Sequence, residues 1–201
     1  MTFRWIAAAA FIVVIGSIGL HALLFPFSAS GRWRGMDIFR TKIHIFTLFF
    51  LEQKLNWIGR LKKLIFLLAL LSFLVLLITG FGPVFFGLRL SGWLLVIHAT
   101  FSPILIGCLS LLALGWAQKM VFENRMENIV KGCFWLLILI ALPLTLTMIA
   151  SMFRFFGTEG QELLLIGHRW CALAFGCIAL IFLYCLIRGQ IVKENTAEPL
   201  E

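Results

Sequence analysis

Charge is scarce in this sequence. Asp, Glu, Lys and Arg make up 13% of its 201 residues, against roughly 25% in soluble domains. Positions 5–31, 64–88, 90–118 and 132–153 contain none of the four, and positions 163–187 contain only Arg169. Acidic residues are scarcest, nine against seventeen basic ones. Cysteine is present without pattern: Cys108, Cys133, Cys171, Cys177 and Cys185 form no Cys-x-x-Cys or Cys-x-x-Cys-His. Iron–sulfur ligation and covalent haem c attachment are thus unsupported, and each cysteine reads as a small hydrophobe. The chain also lacks a binding fold for a nicotinamide, flavin or molybdenum cofactor. Together these absences exclude a soluble enzyme that carries its own substrate chemistry.

What is there is apolar. Hydrophobic residues reach 62%, and each charge-free stretch is long enough to cross a hydrocarbon core, which takes ~20 helical residues. Five transmembrane helices are expected, at about 5–27, 63–81, 91–117, 132–153 and 162–187. The first reads as a retained helix, because its apolar run exceeds the ~7–15 residues of a secretion signal. The expected fold class is therefore all-α integral membrane. It consists of an N-terminal transmembrane helix (1–30), an amphipathic interfacial segment (31–61), a four-helix bundle (62–188) and a polar, mobile tail (189–201).

The net charge of +8 reports orientation rather than nucleic-acid binding, since the basic residues flank the spans. The 28–63 connection holds eight of them, among them Arg32, Arg34 and Arg40, and the 118–131 connection holds Lys119, Arg125 and Lys131. Loops 82–90 and 154–161 hold one each, Arg89 and Arg154. The basic connections and the C-terminus are expected in the cytoplasm, with the N-terminus and the two short loops outside. Arg4 is a small vote against this.

Those two short loops open a repeat. FFGLRLSGWLLVIH at 85–98 and FFGTEGQELLLIGH at 155–168 share Phe-Phe-Gly and a histidine in the same register. An offset of seventy pairs Gly87 with Gly157 and His98 with His168. An apolar helix precedes and follows each copy, so helices 2–3 and 4–5 are two copies of one hairpin in the same orientation. Pro103 and Pro143 are the breaks expected within those helices.

Equal registry places the two histidines at matching depth, about eight residues or ~12 Å into parallel helices. An intramembrane histidine faces the bundle interior and has a partner. The partner that fits two of them is haem b, a cofactor of bundle cores that two imidazoles can hold at both axial positions. A cross-helix hydrogen bond is the plainer alternative for a lone histidine. Gly92, Gly107, Gly167 and Gly176 on the same helices would allow close approach. Arg169 inside the span, and Arg154 with Arg89 at its edge, suit the carboxylates of haem, although edge arginines also snorkel. His21 and His44 are weaker candidates. They could ligate a second haem, flank a quinone site, or serve as ordinary interfacial residues.

TGFGPVFFGLRLSGWLLVIHATFSP (79–103) and MFRFFGTEGQELLLIGHRWCAL (152–173) resemble the cytochrome b-like membrane subunits of bacterial respiratory complexes, related to the anchors of formate dehydrogenase and thiosulfate reductase. The signature is a Thr-Gly closing one helix, a glycine-rich loop and a histidine early in the next helix. The resemblance covers about residues 60–188. It implies a multi-pass protein of the bacterial inner membrane with haem b held by His98 and His168. It also implies electron exchange between menaquinone or ubiquinone and extracytoplasmic multihaem cytochrome c or iron–sulfur subunits, beside other membrane subunits. Two-haem members need four bundle histidines, and here helices 2–5 contain two. The competing readings are a proton- or ion-translocating subunit without haem, for which repeated hairpins with intramembrane His and Arg would serve, and a structural membrane anchor.

Overall fold

The computed structural model describes residues 2–25, 57–88, 90–122 and 128–197. Most of the amphipathic segment, with His44, therefore lies outside the described residues, as does Arg89. Every described element is helical: α1 (Thr2–Leu24), α2 (Trp57–Phe86), α3 (Gly92–Phe122), α4 (Asn128–Ser151), a 3₁₀ turn (Arg154–Phe156) and α5 (Gly157–Ala197). Five helices are long and apolar enough to cross a membrane: Thr2–Leu24, Trp57–Phe86, Gly92–Ala117, Asn128–Ser151 and Gly157–Arg188. Their outer faces are leucine, isoleucine and tryptophan exposed on the surface of the chain, an arrangement that suits a lipid solvent and not water. Trp93, Phe86 and Phe155 crowd one end and Trp57 the other, as membrane-interface aromatics do.

The helices outrun the apolar stretches that announced them. α2 begins at Trp57, six residues ahead of the expected start, because Arg60, Lys62 and Lys63 continue the helix past the apolar core. Lys62 reaches across to the Gly115 carbonyl of α3 at 3.1 Å. At the other end α2 runs to Phe86 through Pro83. Proline there costs one main-chain bond and kinks a helix rather than necessarily ending it. α2 stops where Gly87 takes φ +70°, with Leu88 N donating to Pro83 O at 2.7 Å and Gly87 N to Val84 O at 3.3 Å. This is the paired-bond C-terminal cap that a left-handed glycine allows. The 189–201 tail differs too. It is helical to Ala197, with Gly189 carried inside the helix.

Each hairpin packs along its length, α2 on α3 and α4 on α5, and α1 lies mainly against α5. The hairpins meet in a core built from all four helices: Phe73 of α2, Leu105 and Leu112 of α3, Phe134 and Leu137 of α4, Phe175 and Phe182 of α5. A small apolar cavity of about 70 Å³ lies within it. α1 docks through Phe11, whose ring meets Phe81 edge-on at 5.0 Å and packs over Gly176, where a Cβ would lie 3.3 Å from the ring. The start of α1 sits beside the Phe-Phe-Gly loops, with Phe3 edge-on to Trp170 at 5.1 Å and Arg4 next to Gly87. The N-terminus of α1 and both loops thus share one end of the bundle.

Candidate functional site

Towards that end the two hairpins part around a cavity of about 830 Å³. All four bundle helices line it. His98, His168 and Arg169 stand in its wall, among apolar side chains such as Phe81, Leu95, Met148 and Phe175. Ser102 and Thr145 also line it, but their hydroxyls are already donated to His98 O and Ala141 O of their own helices, both at 2.7 Å. The polar groups left to meet a ligand are therefore few, and the two imidazoles are central among them.

Each histidine is tethered by the partner helix of its own hairpin. The Nδ1 of His98, on α3, lies 2.9 Å from Thr79 Oγ1 on α2. Thr79 in turn donates to Val75 O at 2.8 Å. A hydroxyl has one proton to give, and a carbonyl can only accept. The Thr79 oxygen therefore accepts from His98, and Nδ1 bears the proton. The Nδ1 of His168, on α5, lies 3.3 Å from Leu144 O on α4, and facing a carbonyl it too must donate. Both rings are thereby set in the tautomer that leaves a lone pair on Nε2. Neither Nε2 has a hydrogen-bond partner among the described residues. This is the second-sphere arrangement that metal-ligating imidazoles carry, the far nitrogen hydrogen-bonded and the near one free.

Gly80 completes the His98 pocket. A Cβ at that position would stand 3.1 Å from His98 Cε1, so the imidazole lies where any larger residue would press on it. Thr79 and Gly80 do not close a helix, contrary to the expected signature. α2 continues to Phe86, and the pair faces His98 across the hairpin. The expected glycines behave differently. Gly107 has open space where its side chain would be, Gly92 starts α3 at φ +57°, and Gly176 accommodates Phe11 of α1.

The two histidines lie at different distances from the starts of their helices. His98 is six residues beyond the start of α3 (98 − 92) and His168 eleven beyond that of α5 (168 − 157), or ~9 and ~16 Å of rise. The cause lies in the repeated glycine. Gly87 at φ +70° ends α2, and the chain crosses to Gly92 before α3 begins, whereas Gly157 at φ +60° opens α5 directly. The two histidines nevertheless line one cavity.

Arg169 lies within the Gly157–Arg188 span, one residue after His168, and stands exposed at the cavity wall. Arg154 heads the 3₁₀ turn, and its side chain lies outside the described residues. His21 is elsewhere, towards the opposite end, between α1 and α5. Its Nδ1 is 2.7 Å from Tyr184 Oη and 2.7 Å from Arg188 Nη1. A guanidinium only donates, so this Nδ1 accepts and Nε2 keeps the proton. That is the reverse of the cavity pair. Among the described residues no three His, Cys, Asp or Glu side chains come together, and a metal held by protein alone commonly needs three or four. Two imidazoles leave the other positions of any metal to groups that the described residues do not supply.

Comparison with family models, curated proteins and solved structures returns no match to this chain.

Proposed function

We propose that this chain is the haem b-carrying, electron-transferring membrane subunit of a larger redox complex, as its resemblance to cytochrome b anchors suggests. The observation that supports it is the pair of unpartnered Nε2 atoms, His98 and His168, on one apolar cavity of about 830 Å³. The donor set fits haem: two neutral imidazoles, each oriented through Nδ1, and walls whose other hydroxyls are satisfied internally. Bound there, haem would supply one-electron transfer.

The residues divide the work. His98 and His168 hold the iron through Nε2. Thr79 and Leu144 O hold the imidazoles. Gly80 leaves room for the His98 ring. The apolar walls exclude water, which matters for a cofactor retained without a covalent bond. Arg169, exposed at the wall, places a guanidinium where a haem carboxylate can pair with it, and Arg154 at the neighbouring turn is a second candidate for that role.

The site lies nearer the end that carries the Phe-Phe-Gly loops. Those loops have few basic residues, so that end is assigned to the extracytoplasmic face of a bacterial inner membrane. A redox subunit docked there, with haem c or iron–sulfur clusters, would exchange electrons with the site. A membrane quinone, menaquinone or ubiquinone, is the other redox partner. The test is the visible spectrum of the protein purified from membranes. A Soret band with sharp α and β bands on reduction is the expected result. A colourless protein from haem-sufficient cells overturns the proposal and leaves the ion-path and anchor readings.

A further inference from the structure

We infer that Thr79 is a positioning residue that fixes the proton on His98 and thereby sets the redox balance of the site. The redox part rests on the haem reading above, and the proton part does not. Thr79 is 4% exposed, so water does not compete for its hydroxyl. The only arrangement that avoids two acceptors facing each other runs from His98 Nδ1–H to Thr79 Oγ1, 2.9 Å, and from Thr79 Oγ1–H to Val75 O, 2.8 Å. Bonds in such a chain polarise one another, so the imidazole is held more electron-rich than an unsupported one. Gly80 lets the ring lie close: its missing Cβ would stand 3.1 Å from Cε1 and 3.7 Å from Nδ1.

The support is asymmetric. At the offset of seventy, Thr79 corresponds to Ile149 and Gly80 to Ala150, so the repeat duplicates the histidine without its hydroxyl. His168 instead relies on the Leu144 main-chain carbonyl at 3.3 Å, which substitution does not remove. Of the two tethers, only that of His98 is written in a side chain, and there the sequence can tune the site. An electron-rich imidazole favours ferric over ferrous iron. Loss of the hydroxyl therefore raises the midpoint potential.

The experiment compares wild type, Thr79→Val and Thr79→Ser in two states. In haem-free protein, ¹⁵N NMR of labelled histidine reads the tautomer. The expected result is Nδ1–H at His98 in wild type and Thr79→Ser, and a mixture in Thr79→Val. In haem-loaded protein, redox titration reads the potential. A tenfold fall in the ferric-to-ferrous affinity ratio, at the low end of second-sphere effects, corresponds to an upward shift of ~59 mV for one electron. Thr79→Ser should stay near wild type. A wild-type His98 protonated on Nε2, or a Thr79→Val protein unchanged in both tautomer and potential, overturns the inference. If wild type takes up no haem, the haem reading fails, while the NMR comparison still decides what Thr79 does.

Discussion

The His98–His168 cavity and the His21–Tyr184–Arg188 cluster stand ~24 Å apart along α5, counting sixteen residues from His168 to Tyr184. Both bring imidazole against polar neighbours from another helix. They differ in the direction of one hydrogen bond. In the cavity each Nδ1 gives its proton to an oxygen, Thr79 Oγ1 or Leu144 O, and Nε2 is left as a lone pair facing space. In the cluster Nδ1 accepts a hydrogen bond from Arg188, so Nε2 is an N–H, and the ring is exposed and lines neither cavity. Arg188 also donates to Tyr184 Oη at 3.2 Å. The first arrangement suits the ligand role proposed for it, and the second ties α1 to α5. Whether a membrane histidine can bind metal is decided by what its other nitrogen touches.

The contrast can be tested most severely at the ligands. His98→Ala or His168→Ala should each remove the low-spin spectrum and most of the bound haem, because a cofactor without covalent attachment loses an axial bond. Haem content per chain by the pyridine haemochrome assay measures it, and a full complement in either variant breaks the distinction between the two regions. Next in size is Gly80. Gly80→Ala places a Cβ 3.1 Å from His98 Cε1, so the ring must shift by a few tenths of an ångström. Haem affinity should fall by roughly tenfold, the lower end of second-sphere effects on metal binding, and haemin titration of the haem-free protein reads it.

A smaller effect is expected at Arg169. Its guanidinium stands at the cavity wall and would pair with a haem carboxylate, so the bonds from His98 and His168 are untouched by its loss. Arg169→Gln should weaken haem binding by less than about fivefold in the same titration, while Arg169→Lys loses less. Smallest at the haem is the effect of His21→Gln. Haem content and spectrum should not change, and helix association should weaken by ~1 kcal/mol, the worth of a typical hydrogen bond. Thermal unfolding followed by circular dichroism measures the second part. Loss of haem from this variant would erase the contrast.

The five spans were legible because stretches without charge can sit only in lipid. Their ends were not, because a helix ignores the boundary of its apolar stretch. Lys62 stays helical by reaching Gly115 O, and Pro83 is carried inside α2. The histidine pair was legible from the repeat alone. The helix starts ahead of it were not, since Gly87 and Gly157 share positive φ yet one ends a helix and the other starts one. Thr79 and Gly80 stood in the quoted motif but read as a helix end, and only the packing of α2 on α3 turns them towards His98. His21 stood in the sequence as a weaker candidate whose partners could not be read, because Tyr184 and Arg188 lie 163 and 167 residues away.

The central claim is that both iron ligands are imidazoles, one from each hairpin. Near-infrared magnetic circular dichroism of the oxidised protein, read beside its low-temperature electron paramagnetic resonance, identifies axial ligands directly. The account predicts a low-spin ferric centre with bis-imidazole ligation in wild type, converted to high-spin by His98→Ala and equally by His168→Ala. A low-spin centre with any other ligand pair, or a bis-imidazole signal that survives either substitution and vanishes with His21→Gln, would contradict it.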